Sequence, residues 1–227
     1  MCYSNVLKTN QEVLQEETID WGLLSYEEAL QRQNERLRLR QDGEVPDALI
    51  FVEHPSVFTI GARAGAEKHL IWTEDQLQQK EIELIETNRG GDITYHGPGQ
   101  IVGYPIVSLN HWRDLHGYLR LLEQTLINTV GTLGLAAARR PGKTGIWLAD
   151  RKIAAIGVAV KKWVTLHGFA LNVNNDLEPF SGIVPCGITD GTVTSMKNEL
   201  GFTVDPDEVK SILTTEFWKL FTETKKG

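Results

Sequence analysis

The sequence predicts an α+β fold, and three observations lead to this prediction. Short runs of β-forming residues are interspersed with a few amphipathic helical segments. Two of the runs, 145–148 and 153–160, are joined through Ala149-Asp150-Arg151 and indicate a hairpin, which a regular βαβ repeat does not contain. Because no repeat, low-complexity tract or long linker divides the chain, we expect a single domain over residues 21–227 after an N-terminal extension of residues 1–20.

Four segments carry the signals of helices. Ser25-Tyr-Glu-Glu28 is a capping box, and apolar residues follow it at helical spacing as far as Leu37. Thr73 is expected to cap a short helix, and residues 115–133 predict a long amphipathic one. Asp205-Pro-Asp-Glu208 combines an N-cap, a proline at the first helical position and a capping glutamate, which predicts a last helix.

The predicted strands occupy much of the remaining sequence. They cover residues 48–53, 57–60, 82–87, 101–108, 145–148, 153–160 and 164–173. Strands mixed with few helices, hairpin included, are typical of the α+β class.

Composition indicates a soluble globular protein. The 227 residues are 41% hydrophobic and 23% charged, without a run of eighteen apolar residues or a signal-peptide pattern at the N-terminus. Two cysteines do not make a disulfide framework, so we expect a cytoplasmic protein. The net charge of −7 gives no field that would attract nucleic acid or an anionic membrane, and neither is expected as a partner.

The position of Cys186, between Pro185 and Gly187, is unusual for a structural cysteine. A free cysteine most often serves as a small buried hydrophobe. Proline fixes φ and glycine permits unusual backbone angles, so this pair predicts a shaped turn that presents the thiol. The sequence therefore offers Cys186 as a candidate nucleophile that needs a partner.

The stretch from Arg89 to Gln100 holds four glycines and a proline. Such a loop turns backbone N–H groups toward a ligand, yet this one lacks the lysine and hydroxyl residue of a P-loop and the spacing of a dinucleotide fingerprint. Lys152 begins a second stretch, in which Ala154, Ala155 and Gly157 leave room for a ligand; the alternative is an exposed lysine at a strand end. Spacing of cysteine and histidine does not match a zinc site, so no metal is expected.

Four motifs in order resemble those of the lipoyl(octanoyl) transferases. They are Arg89-Gly-Gly…Thr94-Tyr-His-Gly-Pro-Gly-Gln100, Arg151-Lys-Ile-Ala-Ala-Ile-Gly157, His167-Gly-Phe-Ala-Leu-Asn-Val173 and Pro185-Cys-Gly-Ile188. The likeness covers most of the chain. It implies the fold of biotin and lipoate protein ligases, a mixed sheet flanked by helices, over the whole catalytic domain.

The resemblance also implies an activity, its partners and its residues. Members of the family move an octanoyl group from acyl carrier protein to a lysine of lipoyl domains, without a cofactor. The expected acceptors are the lipoyl domains of 2-oxoacid dehydrogenases and the glycine cleavage H protein. Cys186 is implied as the acyl-accepting nucleophile and Lys152 as its partner. Contacts to the acyl substrate are implied for Arg89, Gly90, Gly91, Asp92, Ile93, Thr94, Tyr95, His96, Ala155, Ile156, Gly157, Gly168, Phe169 and Ala170.

Two further expectations concern the substrates. Each buried methylene contributes roughly 0.8 kcal/mol, so selectivity for eight carbons is expected to be soft. Carrier proteins and many lipoyl domains are acidic, so docking to a chain of charge −7 needs a local basic rim. The candidates by sequence are Arg139, Arg140, Lys143, Arg151, Lys161 and Lys162.

Three other functions remain open at this point. An ATP-dependent ligase of the same fold would use free octanoate and would not need Cys186. An amidotransferase would take its octanoyl group from another lipoyl domain. A binding module that only holds an acyl chain would keep its function after Cys186 is replaced.

Overall fold

The computed structural model describes residues 15–184 and 191–226, which form α-helices and β-strands in mixed order. The helices are α1 (Tyr26–Asp42), α2 (Glu74–Gln79), α3 (Leu115–Thr132), α4 (Met196–Leu200) and α5 (Pro206–Thr224). The strands are β1 (Glu17–Leu23), β2 (Ala48–Glu53), β3 (Val57–Ile60), β4 (Glu83–Glu86), β5 (Thr94–His96), β6 (Gln100–Ile106), β7 (Ala138–Arg140), β8 (Lys143–Leu148), β9 (Arg151–Lys161), β10 (Val164–Asn172) and β11 (Thr192–Val193).

Most strands belong to one mixed sheet with the order β1-β2-β6-β10-β9-β8-β7. β1 runs parallel to β2, while the other pairs along this path are antiparallel. β11 pairs in parallel with the start of β9, and β3 forms a second sheet with β4 and β5. The register of the two outermost strands, β1 and β7, is irregular. The predicted α+β class and the mixed sheet flanked by helices are confirmed.

Alternation along β2 assigns the helices to the two faces of the main sheet. Leu49 and Phe51 pack into a large core with residues of α3 and α5, including Tyr118 and Phe217. Ala48, Ile50 and Val52 point the other way and pack with residues of α1. Successive side chains of a strand face opposite sides, so β2 is covered by helices on both faces.

The predicted helix starts are confirmed by their caps. The side-chain oxygens of Ser25, Thr73 and Asp205 accept hydrogen bonds from the backbone N–H groups of Glu28, Gln76 and Asp207. The predicted strands are found with ends that differ by a few residues. The sequence did not predict β1, β5, β7, β11 or α4, which are short or carry few apolar residues.

The N-terminal extension was expected to end at residue 20, which falls inside β1. Residues Glu17 to Asp20 pair with β2 from Ala48 to Phe51. Alternate residues of β1 are half-buried or exposed, and none is fully buried. The strand therefore lacks the apolar run that would have identified it, and residues 17–20 belong to the main sheet.

Candidate active site

The glycine-rich stretch crosses from the small sheet to the main sheet. The Gly90 N–H donates to the Val158 carbonyl of β9 at 2.9 Å. A Cβ atom built on Gly157 would lie 2.5 Å from the Gly90 carbonyl oxygen, so a side chain at this position would separate the loop from the strand. Gly157, predicted to leave room for a ligand, thus also accommodates the loop backbone.

Arg89 is anchored in this loop with its side chain turned inward. Its residue is 7% exposed, and its guanidinium donates to the Thr59 side-chain hydroxyl, the Thr59 carbonyl and the Gly90 carbonyl. The Arg89 N–H donates to the Thr87 hydroxyl. These bonds fix the loop against β3 and place a buried cation beside the space between this loop and strands β9 and β10.

A cavity of about 450 Å³ lies between the glycine-rich stretch and strands β9 and β10. Eleven of the residues implied as acyl contacts line it, namely Arg89, Gly91, Asp92, Thr94, His96, Ala155, Ile156, Gly157, Gly168, Phe169 and Ala170. The wall is completed by residues that the sequence did not point to, Tyr26, Val102 and Tyr104, and by His167.

Ile93 and Tyr95 are not brought to this cavity. Thr94 and His96 face the cavity, and the alternation of β5 turns Tyr95 to the opposite side. Both Ile93 and Tyr95 pack in the core of the small sheet, and the Tyr95 hydroxyl bonds to the Ser56 hydroxyl. Gly90 lines an adjoining groove.

That groove has an empty volume of about 1140 Å³ and shares residues with the cavity. Gly91, Asp92, Ile156 and Gly157 line both. Leu115, Leu119 and Val158 form apolar parts of the groove wall, and Arg63, Lys143 and Lys152 bring positive charge to it.

Asp92 holds the wall between cavity and groove. Its side chain is 1% exposed and accepts hydrogen bonds from Arg63, from His69 Nδ1 and from the Ile93 N–H. Three donors on one buried carboxylate fix the loop in place. Arg63 and His69 were not identified from the sequence.

Lys152 is buried rather than exposed at a strand end. The residue is 6% exposed, and Nζ lies 5.4 Å from the centroid of the Trp147 ring. A Cβ on Gly145 would lie 2.8 Å from Lys152 Cε, so the glycine of β8 makes room for the lysine side chain. Lys152 lines the groove and, with Thr94, Ala155 and Ala170, a smaller pocket next to the cavity.

Cys186, the predicted nucleophile, lies outside the described residues, as do Pro185 and Gly187. The described residues on either side, Val184 and Val193, are hydrogen-bonded or paired with other parts of the fold. The Val184 N–H donates to the His69 carbonyl at 2.8 Å, and on the other side β11 pairs Val193 with Lys152.

Buried histidines with lowered pKa values lie at the cavity or next to it. Burial lowers the pKa of His54 to about 4 and that of His167 to about 4. Burial, then the neighbouring His54 and Arg89, hold the pKa of His96 well below its usual 6.5. His54 Nδ1 donates to the Leu24 carbonyl, and Nε2 accepts from the Tyr104 hydroxyl.

The buried histidines predict that acid destabilises the fold. An unfolded histidine binds a proton below about pH 6.5, whereas folded His54 and His167 do so only near pH 4. Between these values the unfolded state binds more protons, so stability falls as the pH is lowered through this window. The expected loss from pH 7 to 5 is about 2 kcal/mol per histidine. Urea unfolding across this range measures it.

His54→Gln removes one titrating group and is expected to flatten this pH dependence. His116→Gln, at an exposed position, is the matched control. Equal pH dependence of the free energy of unfolding in His54→Gln and the wild type would contradict the prediction.

Two other kinds of site are absent from the described residues. No helix among them is both long and apolar enough to span a membrane. The same part of the chain does not gather three or more histidine, cysteine, aspartate or glutamate side chains as metal ligands would be.

Known proteins share both the sequence and the fold. The model of the lipoyl protein ligase A/B catalytic domain matches residues 25–218. An octanoyltransferase of Solibacter usitatus is 48% identical over 201 residues, which cover 88% of this chain and 90% of the relative. One of Flavobacterium johnsoniae is 50% identical over 191 residues, covering 80% and 82%.

A solved structure, the crystal structure of lipoate-protein ligase A bound with ATP, superposes with a TM-score of 0.75 at 20% identity. The superposition covers 92% of this chain and 86% of that one. At this identity the likeness shows the fold alone, while the sequence relatives and the family model show the family. The chain belongs to the octanoyltransferases, acyltransferases built on the catalytic domain of the lipoyl protein ligases A and B.

Proposed function

We propose that the chain transfers an octanoyl group from acyl carrier protein to a lysine of lipoyl domains through a thioester on Cys186. Lys152 is the partner that assists proton transfer. The observation that carries the proposal is a buried lysine beside an apolar-walled cavity, formed by residues that the family resemblance implies as acyl contacts. The expected acceptors are the lipoyl domains of 2-oxoacid dehydrogenases and the glycine cleavage H protein.

The first half of the reaction exchanges one thioester for another. The Cys186 thiolate attacks the octanoyl carbonyl, the carrier thiolate leaves, and a proton returns to that thiolate. A free thiol is only a few per cent thiolate at neutral pH. A nearby ammonium such as that of Lys152 favours the thiolate, which is the attacking form.

The second half forms the amide. The acceptor lysine attacks the thioester as a free amine, its excess proton is taken up by a base, and the Cys186 thiolate leaves. Lys152, once it has given up a proton, is the candidate base. One lysine thus has a part in both halves.

The cavity suits a saturated acyl chain better than a charged ligand. Ala155, Ile156, Gly157, Phe169 and Ala170 supply apolar surface along two paired strands. Its histidines are held neutral by burial, so the walls carry little charge apart from the anchored Arg89 and Asp92. A neutral wall favours a hydrocarbon chain because burial of apolar surface drives its binding.

The experiment mixes the protein with octanoyl-acyl carrier protein and an apo lipoyl domain in the absence of ATP. Mass spectrometry is expected to show one octanoyl group added to the lipoyl domain, and a hydroxylamine-labile octanoyl group on the enzyme. A requirement for ATP and free octanoate would instead assign the chain as a ligase and contradict the proposal.

The structure narrows the candidates for the basic docking rim. Arg139 and Arg151 are not among the described residues that line the groove, and they pair with Glu123 and Glu199. Lys161 and Lys162 lie at the turn of β9 and β10, roughly 30 Å along β9 from Lys152 at about 3.3 Å per residue. Lys143 is the candidate that shares the groove with Lys152, and Arg63 joins it.

Lys143→Glu is therefore expected to weaken encounter with the acidic donor. We expect the KM for octanoyl-acyl carrier protein to rise roughly tenfold and its salt dependence to flatten, because rim charges act on association and are screened by salt. Transfer from a small octanoyl thioester should change little. Lys162→Glu makes the same charge change at the far end of β9 and serves as control. Equal losses with both donors would indicate damage to the fold instead.

A further inference from the structure

Most polar side chains around the cavity are satisfied by one another. The Thr59 hydroxyl accepts from Arg89 and bonds to His96 Nε2, while His96 Nδ1 bonds to the Gln100 side-chain oxygen. The Tyr104 hydroxyl bonds to His54 Nε2. A complete internal network of this kind leaves no reason for a polar ligand at that part of the wall.

Three buried groups at the contact between α1 and β10 are different. Within residues 15–184 and 191–226, the Tyr26 hydroxyl, Gln33 Nε2 and His167 Nδ1 do not meet a hydrogen-bond partner. These residues are 2%, 0% and 1% exposed. Burial raises the pKa of Tyr26, and the nearby Thr87 side chain opposes this rise. Burial also raises the pKa of Tyr104, and the nearby Gln33 side chain opposes that rise. Neither Thr87 nor Gln33 reaches hydrogen-bond geometry in these contacts.

The three groups are held together by the packing of α1 on β10. Tyr26 and Gln33 are two turns apart on α1 and share its buried face. The Gln33 side-chain oxygen accepts from the His167 N–H at 3.0 Å, which leaves its amide nitrogen as a donor. Tyr26 and His167 both line the cavity.

The hydrogen-bonding role of each group can be assigned. His167 Nε2 bonds to the Asn88 side-chain oxygen at 2.7 Å, and that oxygen can only accept. A neutral His167 then has an unprotonated Nδ1, which is an acceptor. Tyr26 can donate or accept and Gln33 Nε2 donates, so the set complements a hydroxyl group or a water molecule.

The backbone at His167 is also in an uncommon conformation. Its φ is 59°, in the left-handed region that a residue with a Cβ rarely adopts. Such conformations persist where the surrounding structure fixes them. Here the Gln33 side-chain oxygen accepts from the His167 N–H, and the Asn88 side-chain oxygen accepts from His167 Nε2. The backbone of His167 is thus held by one side-chain hydrogen bond and its ring by another, while Nδ1 is left available.

The part of the cavity that Tyr26 and His167 line lies away from Lys152. The pocket that Lys152 lines meets the cavity at Thr94, Ala155 and Ala170, which line both. His167 is paired with Val158, three residues along β9 from Ala155, or roughly 10 Å at about 3.3 Å per residue. If the thioester forms near Lys152, as the proposed function requires, the last carbons of the acyl chain lie toward Tyr26 and His167.

We propose that Tyr26, Gln33 and His167 form a hydroxyl-binding site that reads the end of the acyl chain. A water molecule occupies it beneath an octanoyl chain, and a hydroxyl at the end of a longer chain can take that place. A plain hydrocarbon long enough to reach the site displaces the water and leaves three buried polar groups unsatisfied. Selectivity against longer chains is then sharper than loss or gain of methylenes would give.

The test compares the nonanoyl and 8-hydroxyoctanoyl thioesters of pantetheine, with the octanoyl thioester as reference. The two test chains reach equally far, since one ends in a methyl group where the other ends in a hydroxyl group. In the wild type the ratio of kcat/KM is expected to favour 8-hydroxyoctanoyl over nonanoyl. Tyr26→Phe keeps the ring and removes the hydroxyl, and it should shift this ratio toward nonanoyl by about fivefold to tenfold.

Tyr118→Phe is the matched control. Tyr118 is fully buried in the main core, its hydroxyl does not meet a partner among the described residues, and it does not line the cavity. The proposal is wrong if the ratio is the same in the wild type, Tyr26→Phe and Tyr118→Phe.

Two more comparisons separate the possible outcomes. If Tyr26→Phe improves nonanoyl transfer alone, water is the occupant; if wild-type protein uses 8-hydroxyoctanoyl as well as octanoyl, the chain hydroxyl enters the site. Absence of octanoyl transfer in the wild type would contradict the proposed function. The preference for 8-hydroxyoctanoate over nonanoate is therefore also measured by calorimetry, as the ratio of their equilibrium dissociation constants. This measurement tests the site without catalysis.

Discussion

Cys186→Ala is expected to abolish octanoyl transfer, with a fall in kcat of roughly 10⁴-fold or more. Without the thiol an acyl-enzyme intermediate cannot form. The acceptor lysine would then have to attack the carrier-bound thioester directly, in one step instead of two. The measurement is single-turnover transfer from octanoyl-acyl carrier protein, together with the mass of the enzyme after incubation with donor alone.

Cys2→Ala controls for loss of a thiol as such, since Cys2 and Cys186 are the two cysteines of the chain. It should retain transfer and the acyl-enzyme adduct. Transfer at the normal rate by Cys186→Ser would show that the covalent mechanism is wrong, whatever the fold and family.

Lys152→Met is expected to slow transfer by about 10²–10⁴-fold, the usual contribution of a positioned proton-transfer group. Methionine retains an unbranched side chain against Trp147, so the fold should tolerate it better than alanine. Loss of the ammonium should also move the pH dependence of Cys186 alkylation to higher pH, because a thiolate is favoured by a nearby cation. Both rates are measured on the same preparation.

Lys152→Arg separates charge from proton transfer. The arginine keeps the positive charge but does not readily give up its proton at working pH, so it should restore alkylation more than turnover. Lys161→Met, at the exposed end of the same strand, is the control for loss of a lysine from β9. Unchanged kinetics in both Lys152 variants would leave Lys152 a structural residue.

Local signals account for the parts of the fold that the sequence predicts well. Capping residues such as Ser25 and Asp205 act within a few residues of themselves, so their pattern is readable without knowing the neighbours in space. β1 and β11 depend on pairing with β2 and β9, and their own residues carry little apolar pattern. Strand propensity is context-dependent, which is why these two were missed.

The candidate site divides in the same way. The glycine-rich stretch and the Lys152 stretch stand out by composition, and the structure places both at one cavity. Tyr26, Tyr104 and His167 come from three distant segments and meet only through the packing of α1 on the sheet. The burial of Lys152 also depends on Gly145 of a neighbouring strand, a contact that a single stretch of sequence does not show.

The irregular outer strands of the main sheet have a consequence for association between copies of the chain. An open sheet ends in strands whose free backbone groups can pair with another molecule and begin aggregation. β1 carries Glu17 and Asp20 and changes register before Leu23, while β7 has three residues, two of them Arg139 and Arg140. A strand from another copy would meet charged side chains and an irregular hydrogen-bonding register at either edge of the sheet. The features that make these strands hard to recognise in the sequence therefore also discourage edge-to-edge aggregation.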